Sequence, residues 1–356
     1  MSVFEMPDFD AHEEILFVRD EKAGLKAIIA VHNSNLGPAC GGTRMVPYSN
    51  SSVALTDALR LSRGMTYKSA MARLPLGGGK AVIIADPATA KTEALLSAYG
   101  RAVEGLGGRY ITAMDVGMTP ADMPVIARTT KYVAGYTQAG KTGGDSGPLT
   151  ALGVFEGLKA AVRHRLHTDD LKGVRVAVQG LGAVGYDLCR HLAKAGARLV
   201  VSDVASARVK LAEEEFDARA VAPTEILGAE CDVVSPCALG ATLNDASIAT
   251  LRAKVIAGGA NNQLAEDRHG VMLKEKGVLY APDYVINGGG IIRVAGQIFA
   301  WSDSEIEARV LAIGQTLMEI FVRADREGLP PNVIADAIAR ERVAAGVIPR
   351  ESCECS

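Results

Sequence analysis

Val176-Ala-Val-Gln-Gly180-Leu-Gly182-Ala-Val-Gly185 sets an apolar run directly before three glycines at Gly-x-Gly-x-x-Gly spacing, and a helical pattern continues from Val184 to Ala195. A strand before the glycines and a helix after them turn a common pattern into a dinucleotide-binding fingerprint. Gly180 permits the tight turn, Gly182 lets the backbone approach a pyrophosphate, and Gly185 brings helix and sheet close. The unpaired N–H groups of the helix N-terminus then face the phosphates. Asp203 closes the next apolar run, Leu199 to Ser202, about 20 residues on, where a carboxylate accepts hydrogen bonds from an adenosine ribose and repels a 2′-phosphate. The cofactor expected is NAD, with Arg208 leaving some NADP use open. Candidate cofactor-binding residues here are Gly180, Leu181, Gly182, Ala183, Val184, Gly185, Asp203 and Val204. Without a ligand, the same glycines would only shape a strand-to-helix turn and Asp203 would be a surface acid.

Outward from this stretch, strands and helices alternate: Val174 to Val178, Val184 to Ala195, Leu199 to Ser202, Ala207 to Phe216. Further apolar runs follow at Cys231 to Val234, Lys254 to Ala257 and Val278 to Tyr280, each before a loop rich in Gly, Pro or Asn. Such alternation predicts a parallel sheet wound by helices, with ligands at the carboxyl ends of its strands. Upstream lie a strand over Leu25 to His32, a helix from Ser51 or Ser52 to Gly64, a strand over Lys80 to Ile84, and a Thr92-capped helix to Leu106. Thr119-Pro-Ala-Asp122 reads as a helix start. Gly135 to Gly147 is glycine-rich and carries Lys141, Thr142, Asp145 and Ser146, the composition of a connection between domains. Downstream, Ser304 to Arg326 reads as one long amphipathic helix, and Pro330 and Pro331 separate it from a last helix, Asn332 to Val343.

The fold class expected is therefore α/β with two domains, an N-terminal α/β substrate domain and a Rossmann-type doubly wound nucleotide-binding domain, with a deep cleft between them. The boundaries are 1–145 for the substrate, catalytic and oligomerisation domain and 146–330 for the nucleotide domain, with 331–356 returning to the first. A chain of 356 residues, 48% hydrophobic and 22% charged, supports two cores. A formal net charge of -3 gives no broad basic surface for nucleic acid. Six cysteines without a Cys-x-x-Cys pair indicate thiols in a reducing cytoplasm. The start of the chain lacks a signal-peptide pattern, and no stretch reaches membrane-span length. Cys353-Glu-Cys355 has one-residue spacing that suits no common zinc geometry, and no metal is expected.

Two glycine-bounded lysines stand out, Lys68 in Gly64-Met-Thr-Tyr-Lys68 and Lys80 in Gly77-Gly-Gly-Lys80. Lys80 lies between glycines and the buried run Ala81 to Ile84. Burial and a neighbouring cation both disfavour a charged ammonium and suit it to base catalysis. Asp115 ends the apolar run Tyr110 to Met114, where it could exchange protons with a substrate amine. Taken singly these signals are weak, because an isolated lysine is usually a solvated charge and Gly77 to Gly79 could be only a turn or a phosphate cradle.

Seven blocks, in order, resemble the glutamate/leucine/phenylalanine/valine dehydrogenase family: Gly37-Pro-Ala-Cys-Gly-Gly-Thr-Arg44, Gly64 to Lys68, Gly77 to Lys80, Tyr110-Ile-Thr-Ala-Met-Asp-Val-Gly117, Ser235-Pro-Cys-Ala-Leu-Gly240, Gly259-Ala-Asn-Asn-Gln263 and Ala281-Pro-Asp-Tyr-Val-Ile-Asn287. The resemblance runs from about His12 to Val343. It implies that Lys68 grips the substrate carboxylate, Lys80 activates water, Asp115 shuttles protons, and Asn262 orients substrate and nicotinamide. It also implies that Thr150, Cys237, Ala238, Ala260 and Asn261 line the cofactor cleft, that the cleft closes, and that the chain forms a homo-oligomer, an octamer or a dimer.

Family members that take glutamate place a lysine where Cys40 stands and a serine where Val294 stands. Burying a side-chain carboxylate against Cys40 and Val294 would leave it unpaired at a cost of several kcal/mol. The implied pocket of Cys40, Gly41, Met65, Ala113, Ile291 and Val294 is apolar, which favours leucine, valine or isoleucine. Cys40 is shorter than the leucine usual at its position in leucine-specific members, which leaves phenylalanine or tryptophan as an alternative. Cys40 itself reads as a small hydrophobe rather than a reactive thiol. Two rival readings fit the residues less well. A hydroxy-acid dehydrogenase would need an imidazole beside the hydroxyl, and the histidines at 12, 32, 164, 167, 191 and 269 lie outside the glycine blocks. A non-catalytic sensor of NAD or an amino acid would not need Lys68, Lys80, Asp115 and Asn262 together.

Overall fold

The computed structural model describes residues 2–137 and 146–346, and the chain divides into two compact units. One unit holds the N-terminal part together with Val294–Ala300 and the chain from Ala339 onward; the other holds the residues from 146 to Arg293 and Trp301–Ile338. Most of Gly135 to Gly147, with Lys141, Thr142 and Asp145, and the Cys353 to Cys355 tail lie outside the described residues.

The first unit carries strands β1 (Glu14–Asp20), β2 (Leu25–Asn33), β3 (Ala39–Val46), β4 (Gly77–Ile84) and β5 (Tyr110–Met114), and helices α1 (Ser51–Met71), α2 (Glu93–Gly105) and α3 (Asp122–Ala127). Its sheet order is β1-β2-β4-β3-β5, antiparallel at β1/β2 and β2/β4 and parallel at β4/β3 and β3/β5. The near-continuous apolar run of β2 fits a strand covered on both faces. Ile28, Ala30 and Val82 pack with Ala54, Leu55, Ala58 and Leu59 of α1. Ile29, Ala81 and Ile83 pack on the other face with Leu95, Tyr99, Val103, Met123 and Ile126 from α2 and α3. Each such aliphatic side chain, once fully buried, contributes about 1.5–3 kcal/mol.

Two readings of the sequence change here. The three glycines Gly77 to Gly79 are not a turn but the first residues of β4. A Cβ at Gly77 would lie 2.1 Å from the Asn33 carbonyl, at Gly78 2.0 Å from the Thr66 nitrogen, and at Gly79 2.6 Å from the Tyr110 ring. Neighbouring backbone and rings occupy the side-chain space. Helix α1 starts from Asn50, whose side chain accepts from the Val53 N–H, and it passes through Gly64 to Met71, which puts Lys68 in its last turn.

The second unit carries β6 (Arg175–Gln179), β7 (Arg198–Ser202), β8 (Arg219–Ala220), β9 (Val233–Pro236), β10 (Val255–Ile256) and β11 (Leu279–Tyr280). Its helices are α4 (Gly147–Leu166), α5 (Ala183–Lys194), α6 (Ser206–Phe216), α7 (Asp245–Thr250), α8 (Arg268–Glu275), α9 (Asp283–Ile286), α10 (Gly289–Phe299), α11 (Asp303–Leu311), α12 (Ile313–Glu327) and α13 (Pro331–Ala345). The ends of α10 and α13 group with the first unit. The parallel order β8-β7-β6-β9-β10-β11 is 3-2-1-4-5-6 in chain order, the doubly wound Rossmann arrangement, with its switch point between β6 and β9. The long helix expected from Ser304 to Arg326 is two helices, because the chain breaks at Ala312 between α11 and α12. None of the described helices is long and apolar enough to cross a membrane.

Candidate active site

Within the first unit, strand register decides which side chains meet. In the parallel pairs, Cys40 stands opposite Gly78 and Ile111, and Arg44 opposite Val82. With a period of two, Cys40, Gly42 and Arg44 share one face with Gly78, Lys80, Ile111 and Ala113, the face that α1 covers. Asp115 follows β5 on that side. Its Oδ2 receives hydrogen bonds from the Lys80 ammonium and from Arg44 Nε, the latter at 3.2 Å. Arg44 Nη1 also reaches Asp57 Oδ2 at 3.0 Å, and the Tyr48 hydroxyl donates to the same oxygen at 2.5 Å. A Cβ on Gly42 would sit 2.7 Å from the Asp115 Cβ, so glycine is what admits the carboxylate.

The electrostatics follow from burial and charge. Lys80 is 6% exposed, and desolvation lowers its pKa against the pull of Asp115, with the Arg44 cation lowering it further. Burial alone would raise Asp115, but Lys80 and then Arg44 outweigh it and hold the carboxyl below its usual range. The result is an ionised carboxylate beside an ammonium made easier to deprotonate. Lys68 is half-buried on α1. The end of that helix is secured from α13, where Arg342 Nη1 donates to the Ala70 and Met71 carbonyls at 3.2 and 3.1 Å, and Arg340 Nε donates to the Tyr67 hydroxyl at 2.8 Å. These bonds satisfy carbonyls that a helix end otherwise leaves open.

Of the expected pocket residues, Cys40, Gly41, Met65, Ala113 and Val294 belong to this unit and Ile291 to the other. Cys40 is fully buried, and burial pushes its thiol up to about 12, the behaviour of an inert small hydrophobe. Gly41 is fixed by packing, since its Cβ would lie 1.7 Å from the Gly79 carbonyl oxygen.

In the second unit the residues expected around a nucleotide gather at the carboxyl ends of the strands. Gly180 has φ +90, and its Cβ would approach Ala238 to 2.7 Å; a Cβ on Gly185 would approach the Gly180 carbonyl to 1.9 Å. Cys237 N donates to the Gln179 carbonyl and Ala260 N to the Pro236 carbonyl, which joins the ends of β6 and β9 to the loop after β10. Asp203 Oδ2 accepts from the Leu181 N–H at 2.6 Å, Oδ1 accepts from the Ala205 N–H at 2.8 Å, and Arg208 lies 3.9 Å away. Val204 is 93% exposed just beyond it. Thr150 donates to the Ser146 carbonyl at 2.8 Å in the first turn of α4. Asn262 is exposed with φ +51, a left-handed conformation that asparagine tolerates, and its carbonyl accepts from the Ala241 N–H at 2.6 Å.

A dinucleotide fits these residues. At Gly182 a Cβ would meet nothing within 4 Å and φ is -71, so neither protein packing nor backbone conformation demands glycine there. The open space lies at the N-terminus of α5, beside the fingerprint turn with Ala183 and Val184. The Gln179 Oε1 and Ser202 Oγ atoms, at the ends of β6 and β7, are buried without a partner among the described residues.

Sequence reading did not single out Arg44, Asp57, Tyr48 or Asn287. Asn287 is 3% exposed and donates to Asn261 Oδ1 at 2.7 Å and to the Gly259 carbonyl at 3.3 Å, bracing the loop that carries Asn261 and Asn262. Arg44 and Asn287 each end a quoted block, a polar residue closing a glycine-rich or apolar run, which was the available signal.

The Glu/Leu/Phe/Val dehydrogenase dimerisation domain matches residues 12–132, and the Glutamate/Leucine/Phenylalanine/Valine dehydrogenase domain matches residues 201–347. The chain belongs to this family. Leucine dehydrogenase of Bacillus cereus is 49% identical over 97% of this chain and 94% of its own length. L-tryptophan dehydrogenase of Nostoc punctiforme is 48% identical over 96% of each. The crystal structure of the latter superposes with a TM-score of 0.86, at 47% identity, covering 94% of this chain and 96% of that one. Valine dehydrogenase of Streptomyces albus is 46% identical over 95% and 93%. This family member is an amino-acid dehydrogenase that uses a nicotinamide cofactor.

Proposed function

We propose that the chain catalyses the NAD-dependent oxidative deamination of an apolar L-amino acid, with leucine, valine or isoleucine favoured. In this reaction the amino acid, water and oxidised NAD give the 2-oxo acid, ammonium, NADH and a proton. The observation that carries the reading is the buried Lys80 bonded to an ionised Asp115.

Lys68 pairs with the substrate carboxylate and so fixes the α-carbon, and NAD, when bound, would supply the hydride acceptor. Asp115 accepts a proton from the substrate amine, so that the bond to nitrogen can become an iminium. Lys80 then removes a proton from the water that attacks the iminium carbon, a step its lowered pKa favours near neutral pH. Protons return through Asp115 to the nitrogen as ammonia leaves. Arg44 fixes Asp115 in place while disfavouring a charged Lys80. Asn262 orients substrate and cofactor.

NAD would be held by the residues from Gly180 to Gly185 at its phosphates, by Asp203 at the ribose, by Val204 at the adenine, and by Thr150, Cys237, Ala238, Ala260 and Asn261 along its length. Ionised Asp203 would oppose the 2′-phosphate of NADP. Cys40, Gly41, Met65, Ala113, Ile291 and Val294 offer no partner for a side-chain carboxylate, which supports an apolar substrate. The Leu, Val and Trp activities named for the relatives support the same class, with phenylalanine or tryptophan as overlapping substrates. A homo-oligomer in the cytoplasm completes the proposal. Following NADH absorbance with leucine, valine, phenylalanine, tryptophan, glutamate and the matching 2-hydroxy acids tests it. Turnover of the apolar amino acids with little of glutamate is expected, and preferential use of glutamate or 2-hydroxy acids would overturn it.

A further inference from the structure

The carboxamide of Gln297 closes two hydrogen bonds on consecutive residues. Its Oε1 accepts from the Gly135 N–H at 2.6 Å, and its Nε2 donates to the Tyr136 carbonyl at 2.6 Å. On the other side, the Ala134 N–H donates to the Thr112 carbonyl at 2.8 Å and the Thr112 N–H to the Tyr132 carbonyl at 3.0 Å. The segment through Gly135 is thus held between β5 and the end of α10. Both bonds from Gln297 need an amide, because a carboxylate accepts but cannot donate.

Gly135 has φ +79, which by itself favours glycine. Its surroundings add a second fact. A Cβ built there would meet only Ala113 Cβ at 3.7 Å and Val294 Cγ2 at 3.9 Å, ordinary contact distances, whereas at Gly41, Gly77 and Gly117 it would lie about 2 Å from a backbone oxygen. The space beside Gly135 therefore takes a methyl without collision, and it is bordered by two side chains of the proposed substrate pocket. Val294 and Gln297 lie three residues apart on α10, on the same side of that helix. The residue that clamps the loop thus also sits beside the pocket side chain.

We propose that Gly135 forms part of the wall of the substrate side-chain pocket and sets how long a side chain it admits, and that Gln297 is the positioning residue that holds this wall. The proposal rests on the reading of an apolar amino-acid substrate given above. It accounts for a donor and an acceptor spent together on one loop, next to Ala113 and Val294.

The test compares the full-length wild type with Gly135→Ala and Gln297→Glu, measuring kcat/KM for alanine, 2-aminobutyrate, norvaline, leucine and phenylalanine. Gly135→Ala fills the space and is expected to lower leucine and phenylalanine at least about tenfold relative to 2-aminobutyrate, the scale on which an added methyl discriminates. Gln297→Glu keeps the shape, faces an oxygen against the Tyr136 carbonyl, and is expected to shift the same ratio through KM while the KM for NAD stays unchanged. Backbone strain alone would depress every substrate equally. Unchanged ratios in both variants, with an active wild type, overturn the inference and leave the proposed function standing. A wild type inert on every amino acid overturns both. Should Gly135→Ala fail to fold, the ratio in Gln297→Glu decides.

Discussion

Arg44 donates through Nε to the same Asp115 oxygen that receives the Lys80 ammonium, while its Nη1 is held by Asp57. One guanidinium therefore acts on both Lys80 and Asp115, the pair proposed to transfer protons. It stabilises the carboxylate and opposes the charge on the lysine.

Replacing Arg44 by Gln removes a cation near Lys80 and lets the lysine pKa rise. With Lys80 as the neutral base proposed above, activity is expected to grow as pH climbs through that pKa. The rising limb of kcat/KM against pH should move to higher pH by roughly one unit, the usual effect of one nearby charge. A slower enzyme with an unmoved limb would show that Arg44 only packs.

Lys80→Ala removes the proposed base itself. Turnover at saturating leucine should fall by about 100- to 10,000-fold, with circular dichroism confirming that the fold survives. Near-normal kcat would take Lys80 out of the chemistry.

The Asp203 carboxylate, proposed above to meet the adenosine ribose, is held by two backbone N–H groups, of Leu181 and Ala205. Asp203→Ala removes the charge proposed to repel a 2′-phosphate and leaves Arg208 without its carboxylate neighbour. The ratio of kcat/KM for NADP to that for NAD should rise by at least about tenfold, which is 1.4 kcal/mol of discrimination. An unaltered ratio would place nucleotide choice elsewhere.

Local signals in the chain predict local structure well. The run Val174 to Val178 and its following glycines lie within a few residues of β6 and the start of α5, because turn, strand and helix are encoded there side by side. Arg44 was not legible in this way. Its meeting with Asp115 depends on the register of β3 between β4 and β5, and register is a property of pairs of strands distant in sequence. The same reason hid the strand character of Gly77 to Gly79, which only the neighbours Asn33, Thr66 and Tyr110 explain. Gly64 misled in the opposite sense: it sits on an exposed part of α1 with open space around its Cα, so the helix continues through it.

Acid should destabilise the first unit through His32. This ring is 7% exposed, its Nδ1 bonds Thr66 Oγ1 at 2.8 Å, and it meets His12 edge-on at 4.8 Å. Burial, then the His12 charge, lowers its pKa from 6.5 to about 4 against the raising effect of Asp10. The folded ring stays neutral where the unfolded one takes a proton, so stability is full above about pH 6.5 and is lost as pH falls toward 4. The full loss corresponds to about 3 kcal/mol from this group, at 1.36 kcal/mol per unit. Between pH 7.5 and 5 about 2 kcal/mol of this should be lost, so stabilities from urea unfolding at the two pH values should differ by that much, and His32→Gln should narrow the gap. An equal gap in the variant would assign the acid sensitivity to other groups.

Two glycines separate folding from cofactor binding. A methyl at Gly41 would lie 1.7 Å from the Gly79 carbonyl oxygen, so β3 and β4 would have to part. Gly41→Ala should cost about 3 kcal/mol or more, at the upper end of overpacking. At Gly182 a methyl meets no protein atom within 4 Å and φ is -71, so Gly182→Ala should leave stability within about 1 kcal/mol of wild type. Its consequence should appear instead in the KM for NAD, because the added methyl occupies the space where backbone and pyrophosphate approach. Thermal unfolding together with NAD titration of both variants checks the contrast. A Gly182→Ala enzyme with wild-type KM for NAD would mean that the fingerprint turn does not carry the phosphates.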